Sequence, residues 1–223
     1  MNELKTISDS KKEFHQAFPF VIAPIYRRVT DELLVELHLL NHQKEFSVNN
    51  IFAVGLIRVF NDFMQGYKPN EHLDLLFNAL CKCNELDAED IKTRADKTLR
   101  EISNNSIQSI ENTLGNDRDK SSVNLSNIMP EIKTSNLLYC RLSVIGLLTV
   151  LKEANDSNSF NSEVLLDKTK QICGKIGYSK TRVEKDLTTY RSNLEKINQA
   201  LELIKEGIER EKRKKDERSK GNH

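Results

Sequence analysis

Residue types that catalyse or bind metals are sparse in this sequence, and their spacings suit few reactions. His38 and His42 stand four apart, so a helix would bring both imidazoles to one face. Glu36 precedes His38 by two residues, not by the three of the Glu-x-x-His pattern in di-iron bundles. These histidines are therefore expected to face solvent or to hydrogen-bond, opposite the main apolar stripe of their helix. Cys81 and Cys83 form a C-x-C pair that no second pair answers at zinc-site spacing. With Cys140 and Cys173 they read as buried or idle thiols in a reducing compartment. No H-E-x-x-H, G-x-S-x-G, Walker loop or G-x-G-x-x-G is present. The expectation is no catalytic residue, no metal site and no cofactor.

One pair of charges points inward. Arg58 and Asp62 lie at i,i+4 in "NIFAVGLIRVFNDFMQGY", where most other residues are apolar. A buried charge without a partner is too costly to keep. The two therefore pair with each other, or they meet Arg28, Glu32 and Glu36 of the preceding segment. Gly55 sits in the same stretch and loses about 1 kcal/mol against Ala in a helix. Close approach of a neighbouring helix is the expected reason for it.

The elements that must hold these residues are helices. Only 8 Gly and 4 Pro occur in 223 residues, and no useful period-2 alternation appears. Thr6 or Ser10 opens a first helix, with Ser10 to Glu13 matching a capping box; it stops before Pro19. Pro24 suits the first turn of a second, whose apolar residues on more than one side suggest a central place. Asn49 caps a third, closed by Gly66; a fourth follows Pro69 and Asn70; Asp87 caps a polar fifth. A short sixth ends at Gly115, and residues 115–135 read as a surface loop. Two more helices cover 136–155 and 162–177, and Thr181 with Glu184 makes a capping box for a long ninth. The fold class is all-α: a single bundle of about eight to nine helices over 1–181, then a C-terminal helix over 182–223.

That last helix carries apolar residues from Val183 to Ile208 at heptad spacing. Its flanking positions hold small and neutral residues, such as Ala200 and Gly207, rather than the charge sets that select a partner strand. Residues 182–208 are expected to pack on the body, with a homodimeric coiled coil as the competing reading. Residues 209–223 form a projecting basic tail with Arg210, Lys212, Arg213, Lys214 and Lys215. The bland reading of that tail is a solvated helix end; the sharper one is an arm that touches an acidic partner or an anionic lipid surface. The formal net charge is only +1, so the chain as a whole has no field to recruit nucleic acid. The longest apolar run, "IFAVGLI", falls far short of the roughly 20 residues of a membrane span. The N-terminus shows neither a secretory h-region nor an Arg/Ser-rich presequence.

Several stretches occur together in the order of a known family. "TISDSKKEFHQAF", "IYRRVTDELLVELHLL", "FAVGLIRVFNDFMQGYKP", "FNALC", "YCRLSVIGL" and "DLTTYRSNLEKINQA" resemble the thylakoid formation protein family of cyanobacteria and chloroplasts, a photosystem II biogenesis factor. The resemblance runs from about Thr6 to Arg213, with little counterpart over 105–136. It implies an all-helical, non-enzymatic accessory protein, peripheral on the cytoplasmic face of thylakoids and with a soluble pool. It implies partnership with FtsH-type membrane proteases, and through them turnover of photosystem II subunits and thylakoid organisation. It also implies a purpose for Arg28, Glu32, Glu36, Arg58 and Asp62, together with Arg27: an internal ionic network that sets helix register. A docking surface for a partner is the alternative.

Overall fold

Helix starts are written locally in this chain, and most of them form where their capping residues stand. The computed structural model describes residues 5–103, 105–114, 138–154 and 161–220, without the side chains of 111–114, 215, 216 and 218–220. The expected loop over 115–135 lies outside that range.

Helix α1 spans Ile7–Ala17; the Asp9 amide donates to the Thr6 hydroxyl, and the Asp9 carboxylate accepts from the Thr6 amide. Thr6 is thus the cap, and the box read at Ser10 does not form: Ser10 lies inside the helix, buried against α2. Helix α2 (Pro24–Asn41) starts on its proline, and α3 (Asn50–Phe63) is capped by Asn49, which accepts from the Phe52 amide at 2.8 Å. Helix α4 covers His72–Lys82, and α5 (Ala88–Ile102) starts on Asp87, whose carboxylate accepts from two amides. Helix α6 is Ile107–Leu114, α7 is Arg141–Glu153 and α8 is Ser162–Lys175 with Asn161 as its cap. Helix α9 runs through Lys180–Lys220, 41 residues. It opens before Thr181, so Thr181 belongs to its first turn and not to a cap. All the described secondary structure is helical.

The centre of the molecule is α3 against α7, with α5 on α3 as the next most extensive packing. Gly55 makes the central contact, as its mid-helix position suggested. A methyl there would lie 1.8 Å from the Leu142 carbonyl oxygen, and one at Gly146 would lie 2.0 Å from the Ile51 carbonyl oxygen. The two glycines answer each other, so the two backbones lock at one register and run in opposite directions. Helix α2 is less central than its apolar content suggested, since Leu39 stays half exposed on its outer side. Helix α5, polar along most of its length, buries Ile91, Ala95, Thr98 and Ile102.

Helix α9 packs through Val183, Leu187, Tyr190 and Ile197, all buried, with Leu194 and Leu201 partly so. Leu201 rests beside Gly66, in the turn after α3. Beyond it the body ends. Leu203 is 69% exposed, Ile204 48% and Ile208 50%. The apolar stripe outlasts the surface it was expected to cover, and packing stops near Leu201 instead of Ile208.

Candidate functional site

The charges expected to form one network stand on two helices, α2 and α3, and with Arg141 of α7 they resolve into three pairs. Arg28 Nε and Glu32 Oε1 meet at 2.8 Å on the surface of α2, with Arg28 largely exposed. Arg27 is exposed as well. Glu36 turns instead to Arg141 at the start of α7, which donates through two guanidinium nitrogens at 2.5 and 3.2 Å. Arg58 Nε donates to Asp62 Oδ2 at 2.9 Å within α3. Asp62 is almost fully buried, and the Tyr190 hydroxyl of α9 donates to the same oxygen. The single network is therefore corrected to one surface pair and two separate locks, because α2 and α3 direct their charges toward different neighbours.

Those locks join elements far apart in the chain. Glu36 with Arg141 ties α2 to α7, and Asp62 with Tyr190 ties α3 to α9. Burial, and then the bond to Asp62, push the Tyr190 hydroxyl above its ordinary range, so it remains a donor at neutral pH. A third lock was not anticipated. The Tyr139 hydroxyl donates to Asp186 at 2.6 Å while the Arg182 guanidinium sits 3.9 Å from the Tyr139 ring centre. Arg141 and Tyr190 stand inside two of the stretches that carry the family resemblance, which was the available signal for them. Tyr190 read only as part of an apolar stripe because a hydrophobic period takes no account of a hydroxyl.

His38 is buried, not solvent-facing: it shares a 2.9 Å hydrogen bond with Ser10 Oγ, and its ring lies 4.1 Å from that of His42. Burial first, then His42 and Lys5, lower its pKa against the opposing Asp9 and Glu85. The four cysteines are buried and free. Burial pushes Cys81 and Cys173 up to about 12 and Cys83 and Cys140 up to about 11. They remain protonated thiols at neutral pH, the opposite of an activated nucleophile. Among the described residues, no three His, Cys, Asp or Glu side chains are placed to hold a metal ion.

Among the described residues, the outward-facing features include an arm and a cleft. One is the arm of α9, where Leu203, Ile204 and Ile208 lie exposed ahead of the exposed Arg210, Lys212, Arg213 and Lys214. Arg210 pairs with Glu206 at 3.3 Å, and the Lys215 side chain lies outside the described part. The other is a cleft of about 190 Å³ between α3, α7, α8 and α9. Among the described residues no helix is long and apolar enough to cross a membrane.

A family model described as thylakoid formation protein matches residues 6–219. Protein Thf1 of Synechococcus sp. (strain CC9605) is 41% identical over 215 residues, which span 96% of this chain and 94% of that protein. Protein Thf1 of Prochlorococcus marinus (strain MIT 9313) is 39% identical over 218 residues, spanning 97% and 90%. A solved structure of Psb29 shares the fold at a TM-score of 0.79 and 32% identity, covering 95% of this chain and 99% of that one.

Proposed function

Because the chain belongs to the thylakoid formation protein family, we propose that it serves photosystem II biogenesis and repair as a non-enzymatic, peripheral adaptor for FtsH-type membrane proteases. The observation that carries this reading is the arm of α9. An apolar strip of Leu203, Ile204 and Ile208 continues a packed stripe past the end of the body, where it stays exposed among the described residues. Apolar side chains presented in a row on a rigid helix are a docking device, since a partner's groove can remove them from water. The cations that follow, Arg210, Lys212, Arg213 and Lys214, add charge complementarity for an acidic partner surface. The locks from Glu36, Asp62 and Tyr139 support the same reading. Those from Asp62 and Tyr139 hold α9 to the body and that from Glu36 holds α2 to α7, so that a pull on the arm acts on the body. On this reading the protein works at the cytoplasmic face of the thylakoid membrane.

Affinity purification from thylakoids in mild detergent tests the proposal. An FtsH-type protease should co-purify with the unaltered chain, and much less with a Leu203→Gln, Ile204→Gln, Ile208→Gln variant. If no such protease accompanies the unaltered chain, the adaptor role is abandoned.

The exposed cation cluster favours a second reading, binding of anionic lipid or nucleic acid through the arm. Retention on anionic vesicles or RNA should then fall steeply with salt and vanish when Lys212, Arg213 and Lys214 become Gln. Retention indifferent to those replacements would dismiss it. A homodimer through the same strip is separated from both by the concentration dependence of the sedimentation coefficient.

A further inference from the structure

The cleft between α3, α7, α8 and α9 lies on the body, away from the arm, and its charges are unevenly matched. Arg58 and Asp62 face it from α3, Lys152 from α7, and Tyr190, Arg191 and Glu195 from α9. Asp62 is already engaged by Arg58 Nε and by the Tyr190 hydroxyl, so its charge is spoken for. Lys152 and Arg191 have no carboxylate within 4.0 Å among the described residues, although Glu195 stands one helical turn from Arg191. Leu148, Leu166 and Leu194 supply an apolar wall, and the exposed Ser162, at the first turn of α8, also lines the cleft.

We propose that this cleft binds a tetrahedral oxyanion, a free phosphate or the phosphate headgroup of a small amphiphile, between Lys152 and Arg191. Two cations converging on one space repel each other, and an anion between them converts that repulsion into two charge-assisted contacts. Lys152 and Arg191 are both exposed at the rim; partial desolvation first, then Arg58 and, less, Arg191 lower the Lys152 pKa, with Asp62 opposing. Ser162, the first residue of α8, lines the cleft, so the positive end of that helix lies beside it. The leucine wall would take a short alkyl portion, which makes an amphiphile the tighter ligand.

Calorimetric titration of the full chain with inorganic phosphate and with hexyl phosphate, at low ionic strength, tests the site. Saturable binding of one ligand per chain is expected, weakened about tenfold or more in a Lys152→Met, Arg191→Gln variant. It should be equally weakened by Ser162→Glu, which sets a carboxylate at the mouth of the cleft but suits the first turn of a helix. Circular dichroism of both variants verifies that the helices remain. The Lys212→Gln, Arg213→Gln variant on the arm should bind as the unaltered chain does. Tighter binding of hexyl phosphate identifies an amphiphile as the source of the headgroup, and equal binding of the two identifies a free oxyanion. Absence of saturable binding by either probe overturns the proposal. So does binding that survives both cleft variants or is lost only with the arm variant.

Discussion

Among the described glycines, Gly55 and Gly146 carry the tightest constraint. Replacing either with Ala would add about 1 kcal/mol of helix propensity. The added carbon would also lie 1.8 or 2.0 Å from a backbone carbonyl oxygen, which cannot swing aside as a side chain can. Sterics win, and each Gly→Ala variant should lose about 2 kcal/mol or more in urea denaturation. Tyr190→Phe removes a hydrogen bond to a buried carboxylate while leaving Asp62 its Arg58 partner, for an expected loss of about 2 kcal/mol. His38 sets an acid limit. Its native pKa is depressed below the ordinary 6.5 by burial, then by His42 and Lys5, with Asp9 and Glu85 opposing. The unfolded chain therefore binds that proton first. Stability is fully present above about pH 6.5 and falls as pH drops below it; in His38→Gln the slope should flatten, as read by thermal melts across pH 5 to 7. Gly55's role was legible because a mid-helix glycine is unfavourable locally. Gly146's partnership was not, because it exists only once α3 and α7 are in register.

The elements divide according to how local their signals are. Asn49, Asp87 and Pro24 start helices where a one-turn pattern says they should. Ser10 and Thr181 match the same pattern and do not cap, since Thr6 precedes one and α9 has already begun before the other. A capping box is a property of four residues, and two overlapping candidates are separated only by what the side chain meets. Ser10 meets His38. Helix α9 shows the other limit of periodicity, which marks a face but not how far the body beneath it extends. Amide hydrogen exchange should be slow from Val183 to Ile197 and rise sharply after Leu201, where the helix is exposed among the described residues. The triple Gln replacement at Leu203, Ile204 and Ile208 should leave the urea midpoint of the body nearly unchanged, since little burial is lost.

For the molecule as a whole, the described residues form a helical body with a buried apolar core and an exposed arm at the end of α9. Its four thiols are buried in the body, under α4, α7 and α8. A thiol reagent should therefore label almost none of them in the native state and all four in denaturant, with a rate that follows global opening and not local fraying. The helical class, most helix starts, the family and the scarcity of reactive groups were legible in the residues alone. Each of these is encoded within a turn or two of chain, in caps, periods and residue types. Packing in three dimensions brings Glu36 to Arg141, 105 residues away, and the hydroxyl of Tyr190 to Asp62, 128 residues away. It also decided where α9 leaves the body and that Lys152 and Arg191 share a cleft. Such facts depend on distances between elements, which are set by packing over the whole molecule and are written in no single window of the chain.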